Sequence, residues 1–226
     1  MLAKLFAVAA YLIGLAGAGV FFAYVVGTGT GFWPPAPAKT AYQSISFNLP
    51  LLILFACQHS GMARQAVKQR LGSLGRSIYV ATSGLVVGAL TLMWQPIPGE
   101  PIWHGPLWIA VISLLAAVGI GGFCSCFDHA TFFGLTQAWT GQAEMPGQLC
   151  TDGPYRYVRH PLMLGLLVAI WAQPIMPREL LMMNAGMTCY VLVAIRLEER
   201  DLARQFGAEY EAYRRRVPML IPWKWR

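Results

Sequence analysis

Long apolar runs separated by short polar stretches organise the chain. Residues 5–27 form the first run and contain no charged side chain. Runs over 45–62, 77–94 and 107–127 follow, again without Asp, Glu, Lys or Arg. Each approaches the ~20 residues that cross a hydrocarbon core about 30 Å thick. Phe21, Phe22, Tyr24 and Val26 carry the first run past the length of a cleavable signal sequence, so it reads as a retained helix. Pro50 falls in the first turns of the second run, where a missing N–H is tolerated. Two shorter runs, 161–176 and 180–195, predict a helical hairpin turning at Pro177-Arg178, with Pro174 and Pro177 ending its first helix. Whether that hairpin crosses completely stays open at this stage.

Beyond the last run the pattern changes. Leu202, Phe206, Tyr210, Tyr213 and Val217 share one helical face, which predicts a single amphipathic helix on a membrane surface, ended by Pro218. It serves either as an anchor or as a lid over the bundle. Ile221-Pro222-Trp223 with Trp225 reads as an interfacial aromatic anchor. The expected fold is all-α: a polytopic membrane bundle of about five to six membrane helices with a C-terminal cytoplasmic amphipathic helix. Residues 1–226 read as one domain, with four membrane helices in 1–127 and the remaining half in 128–226.

Composition agrees. The chain is 56% hydrophobic and 12% charged, against about 25% charged residues in an ordinary soluble domain. Disorder is excluded by the same imbalance. Of the charged residues before Glu100, all are basic. The net charge of +7 does not imply nucleic acid, because the basic residues sit between apolar runs and not on a soluble face. Segment 63–76 holds Arg64, Lys68, Arg70 and Arg76 and no acid, whereas 95–106 has no Lys or Arg. The positive-inside rule therefore puts 63–76, both termini and the tail in the cytosol.

That orientation gathers the polar clusters on one face. Gln58-His59-Ser60, Asp128-His129, Arg156 with Arg159-His160, and Arg196 with Glu198-Glu199-Arg200 all fall at cytoplasmic ends of runs. Ionisable groups at membrane depth are costly and face a cavity or a partner. A polar pocket open to the cytosol accounts for all four. Taken singly, the arginines could be anchors, and the glutamates could pair with Arg196 and Arg200 along the helix. His104 reads as an interfacial residue without a role. The five cysteines do not form a disulfide framework, and Cys124-x-Cys126-x-x-His129 lacks the spacing and second ligand pair of a metal site. No metal is expected.

The stretch Gly153-Pro154-Tyr155-Arg156-Tyr157-Val158-Arg159-His160-Pro161-Leu162-Met163-Leu164-Gly165, followed by Leu197-Glu198-Glu199-Arg200-Asp201-Leu202, resembles the paired signature of the isoprenylcysteine carboxyl methyltransferase and phospholipid methyltransferase superfamily of membrane enzymes. It departs from that signature at Met163, where an aromatic residue is usual. Further upstream, Leu54-Phe55-Ala56-Cys57-Gln58-His59-Ser60-Gly61-Met62-Ala63-Arg64, Arg76-Ser77-Ile78-Tyr79-Val80, Trp94-Gln95-Pro96-Ile97-Pro98 and Phe127-Asp128-His129 look like the bacterial methanethiol S-methyltransferases.

The resemblance implies methylation of a small volatile thiol by S-adenosylmethionine, leaving S-adenosylhomocysteine, in a bacterial cytoplasmic membrane. It implies no nucleic acid and no obligatory protein partner besides the lipid bilayer. It puts the cofactor between Arg159-His160-Pro161 and Glu198-Glu199, with Tyr157, Gly165 and Tyr190 as walls. An arginine suits a carboxylate end, and a glutamate suits amino or hydroxyl groups. The thiol must lose its proton, since the thiolate is the nucleophile. By location the proton acceptor is Asp128 with His129, or else His59, with Arg76 and Tyr79 as helpers. Alternatively Asp128 pairs with Arg76 or another loop cation to hold the bundle. Other readings are a methyltransferase acting on an isoprenylcysteine carboxylate or a lipid amine, and a membrane haem-binding or assembly protein using His59, His129 and His160.

Overall fold

The computed structural model describes residues 1–33, 39–125, 128–143 and 149–222, with 121–125 described through the backbone alone. The regular structure of the described residues is all helical, with no β-strand among them. In chain order the helices are α1 (Leu2–Thr30), α2 (Ala41–Ala63), α3 (Gln65–Arg70), α4 (Gly75–Met93), α5 (Ile109–Ser125), α6 (His129–Phe132), α7 (Leu135–Thr140), α8 (Pro161–Trp171), α9 (Arg178–Phe206) and α10 (Ala208–Arg216). Four segments are long and apolar enough to cross a membrane: Leu2–Thr30, Ala41–Ala63, Gly72–Met93 and Arg178–Phe206. Ile109–Ile120 and Pro161–Trp171 are shorter apolar helices. The protein is a multi-pass helical membrane bundle.

The close packing of α1 on α4 rests on glycine. A Cβ on Gly84 would stand 2.6 Å from the Ile13 carbonyl oxygen, and one on Gly17 would collide with the Gly84 carbonyl. Lipid offers helices no hydrophobic drive to associate, so such backbone approaches supply the attraction through packing. Thr40 opens α2 with a reciprocal capping box to Gln43. Pro50 is accommodated within that helix.

The first helix of the hairpin ends before its apolar run does, and just ahead of the two prolines expected to end it. This helix, α8, stops at Trp171, 11 residues long, well short of a crossing at about 1.5 Å per residue. Residues 172–177 continue as buried irregular chain, and Pro177 caps α9. Such backbone needs partners, and the 94–106 loop supplies them. Ile102 and Gly105 donate to the carbonyls of Met176 and Pro174, and Met176 donates to Trp103. His104 bridges to Ile175 in this joint. Gln173, 1% exposed, donates to Ser113 Oγ at 2.9 Å and to the Ala169 carbonyl at 2.7 Å. Irregular backbone is tolerated at membrane depth where protein satisfies it. The second helix of the hairpin is far longer than its apolar run and carries on to Phe206.

A correction concerns the tail. The periodic face from Leu202 to Val217 belongs to two helices, broken at Gly207, whose φ of 52° lies in the region glycine favours. Within α10, Glu211 pairs with Arg214 at 3.5 Å. Trp223 and Trp225 lie outside the described residues.

Candidate active site

Helix α9 brings together the chemistry at the basic end of the bundle. Glu198 and Glu199 are consecutive, so their side chains leave the helix about 100° apart and reach different partners. Glu199 is 8% exposed and meets Arg159 Nη2 at 2.6 Å and Nε at 2.7 Å through the same oxygen. His160 Nε2 lies 3.2 Å from that oxygen. Glu198 has a half-exposed carboxylate 3.6 Å from His160 Nδ1. Neither glutamate uses Arg196 or Arg200 among the described contacts. The two neighbouring carboxylates are thereby divided between a buried clamp and an open acceptor.

The clamp also secures the tail. Arg159 Nη1 donates to the Arg214 carbonyl at 3.2 Å and to the Val217 carbonyl at 2.5 Å. The Arg159 and His160 amides donate to the carbonyls of Pro218 and Met219. Leu220 then packs with Val191 and Ile195. Arg159 therefore spends its donors within the protein, while Arg214, half exposed, leaves its guanidinium 3.8 Å from Glu199. Tyr213 donates to the Tyr155 carbonyl at 2.8 Å, and burial pushes its phenol up to about 12. Burial and the adjacent Glu199 carboxylate raise Tyr210 as well. Pro161 starts α8 beside this clamp, at a position where its missing N–H costs nothing. Gly165, one turn on, packs against Ile120 of α5. Tyr157 is exposed.

A second cluster lies further into the bundle. His59 on α2 has both ring nitrogens engaged by α4: Tyr79 OH at 2.8 Å from Nε2 and Ser83 Oγ at 3.1 Å from Nδ1. Phe55, Tyr79 and Tyr190 surround the imidazole with ring centroids 5.1–5.9 Å away. Gln58 donates to Thr82 Oγ1 at 3.1 Å alongside. Arg76 closes the cluster, its guanidinium over the Tyr79 and Phe132 rings and its Nε donating to the Phe132 carbonyl at 2.7 Å. Tyr190, expected at the cofactor, thus stands with the His59 group. It is eight residues from Glu198 on the same helix, about 12 Å along the axis.

Asp128 and His129 have other surroundings. Asp128 caps α6, accepting from the Ala130 amide at 3.1 Å and from the Thr131 hydroxyl. Those hydrogen bonds hold its carboxyl below the usual value. His129 packs edge-on to Tyr11 and against Phe133. Sequence reasoning missed Ser83, Phe55 and Arg214. Ser83 follows Tyr79 by one helical turn, a signal readable only once α2 and α4 are known to pair. Among the described residues no group of three His, Cys, Asp or Glu could hold a metal ion; Cys126 lies outside them.

Residues 107–209 match the Phospholipid methyltransferase family, and the protein is a membrane methyltransferase that takes its methyl group from a donor. Methanethiol S-methyltransferase 2 of Bradyrhizobium diazoefficiens is 44% identical over 80% of this chain and 74% of its own length. Methanethiol S-methyltransferase of Mycobacterium tuberculosis is 36% identical over 98% and 96%. The chain belongs to this methyltransferase family. Nurim of Xenopus laevis, 32% identical over 76% of this chain and 67% of its own length, is a further relative. No solved structure matches the chain.

Proposed function

We propose that the protein methylates methanethiol with S-adenosylmethionine, giving dimethyl sulfide and S-adenosylhomocysteine. The observation that carries the reading is the arrangement along α9 of two unlike clusters. The open Glu198 carboxylate and the His160 ring stand at one, and the aromatic His59 group gathers on Tyr190, eight residues and about 12 Å along the helix axis from Glu198. The donor set fits the cofactor. Glu198 accepts amino or hydroxyl groups, and Arg214 offers a cation to a carboxylate. Arg159 and Glu199 hold the two sides of that site in register and do not reach out of it. When bound, S-adenosylmethionine supplies an electrophilic methyl group on a sulfonium.

The protein's own residues prepare the thiol. Phe55 and Tyr190 exclude water, which favours a reaction that consumes separated charges. Arg76 favours the thiolate electrostatically. His59 with Tyr79 takes the proton, a part to which the capping contacts of Asp128 and the ring packing of His129 are less suited. The site faces the cytosol of a bacterial cell, as the basic 63–76 segment and the 95–106 loop without Lys or Arg support.

Purified protein in vesicles, given methyl-labelled S-adenosylmethionine and methanethiol, is expected to release labelled dimethyl sulfide into the headspace. Donor binding without labelled product would overturn the reading. Label appearing in the lipid extract would move the acceptor to a lipid amine.

A further inference from the structure

His59 makes two hydrogen bonds to helix α4, and they are not equivalent. Tyr79 and Ser83 lie four residues apart, on one face of α4, and hold Nε2 and Nδ1 at 2.8 Å and 3.1 Å. A neutral imidazole carries one donor and one acceptor nitrogen, so its two partners decide which is which. A phenol is a far stronger acid than an aliphatic hydroxyl, and its oxygen is the shorter contact. Tyr79 therefore donates to Nε2, and Ser83 Oγ accepts from Nδ1–H. Gln58 Nε2, 3.5 Å from Ser83 Oγ and 3.1 Å from Thr82 Oγ1, keeps the serine oxygen in an acceptor environment on its α2 side.

Resting on the thiol methylation above, we propose that Ser83 is a positioning residue that fixes His59 as the Nδ1–H tautomer. Tyr79 and His59 then relay the thiol proton as the methyl group is transferred. The thiol S–H bond breaks and its proton goes to the Tyr79 oxygen. The Tyr79 proton passes to His59 Nε2. The freed sulfur pair forms the new S–C bond, and the pair of the broken S–C bond returns to the sulfur of the sulfonium donor. Water reaching the edge of the partly buried ring later takes the proton.

This route has an electrostatic consequence. Methyl transfer removes the positive charge of the sulfonium, and the relay creates a positive imidazolium in the same half-dry pocket. Net charge is conserved during the step, which avoids the large cost of changing it in a poorly solvated site. The other ionisable groups facing His59 are Arg76 on α4 and Tyr190 on α9. Arg76 lies on the Tyr79 side, where it favours the anionic oxygen and sulfur of the first half of the transfer and, as a like charge, makes the imidazolium short-lived.

The test uses the full chain in vesicles and two readouts. Nitrogen NMR of ¹⁵N-histidine protein, with His59 assigned by subtraction of H59Q, is expected to report a neutral ring protonated on Nδ1. S83A should convert it to a mixture of tautomers. An Nε2–H ring in the unaltered protein overturns the proposal, and this readout needs no turnover. In the rate assay, S83A is expected to lose about tenfold in kcat at neutral pH, the worth of one hydrogen bond, with donor affinity unchanged. S83T should recover most of the rate. The S83A deficit should shrink as pH rises above the ~8.5 typical of cysteine, toward the higher value of a simple alkanethiol, where the substrate ionises unaided. A deficit independent of pH, or one shared by donor binding, would assign Ser83 a structural part only. Failure of the unaltered protein to form dimethyl sulfide, with the Nδ1–H ring intact, would remove the acceptor assignment and leave the tautomer standing.

Discussion

Arg159 and Glu199, forty positions apart, meet at 2.6 Å with side chains only 9% and 10% exposed. A buried pair of this kind is costly to break from one side, because the remaining charge loses its compensation. Arg159→Met is expected to destabilise the protein by about 3 kcal/mol. Arg159→Met with Glu199→Leu should recover much of that loss. Thermal unfolding of the detergent-solubilised chain, comparing single and double variants, checks this; equal losses would mean that the pair is not what holds the tail.

Glu198 sits beside that clamp but takes no part in it beyond His160. Glu198→Gln should therefore leave the unfolding midpoint unchanged and weaken S-adenosylmethionine binding about tenfold, as the loss of one charged hydrogen bond would. Calorimetric titration of the donor gives the number. A fallen midpoint with unchanged affinity would reverse the roles given to the two glutamates.

At Asp128 the capping bonds hold the carboxyl below its ordinary value, so the folded state favours the ionised form. The stability this adds is complete above the unfolded value, about 3.9, and is lost as pH falls through the lowered folded value. Asp128→Ala should lower the midpoint at neutral pH, and the gap to the unaltered protein should close below about pH 4. The substitution should affect the midpoint far more than the turnover of the protein that stays folded. A collapse of kcat at an unchanged midpoint would return the proton acceptor to this position.

Two glycines on α4 give an internal control for the α1 crossing. A Cβ at Gly84 would press on Ile13 and Gly14 backbone, whereas one at Gly88 would meet Gly17 Cα at 3.7 Å, an ordinary contact. Gly84→Ala should reduce folded yield and midpoint sharply, and Gly88→Ala should be tolerated or mildly stabilising. Similar midpoints for both would show that the crossing yields more easily than its backbone distances suggest.

The long apolar runs made α1, α2 and α4 legible because a membrane helix needs length and apolarity and little else. The Arg159-His160 and Glu198-Glu199 motifs were legible as neighbours, although their division into clamp and acceptor was not, since adjacent residues on a helix carry no label for which way they turn. Pro174 marked the end of α8 to within a few residues, but its arrival as early as Trp171 was hidden for a different reason. Residues 172–176 stay apolar apart from Gln173 while leaving the helix, and an apolar run cannot tell a buried loop from a helical turn. Gly207 escaped because the four-residue spacing of Phe206 and Tyr210 survives the break between α9 and α10. Ser83 carried no signal among its apolar neighbours until α2 supplied His59.

The pairing of residues 159 and 160 with 218 and 219 sets an order of manufacture. Helices inserted as the ribosome delivers them complete their crossings one after another, and domains assemble in the order of synthesis. Here the loop ahead of α8 must wait almost sixty residues for its backbone partner. A nascent chain that already spans the bilayer is therefore still without its clamp. Ribosome stalling or proteolysis shortly before position 218 would yield a membrane-inserted product with an unfinished site.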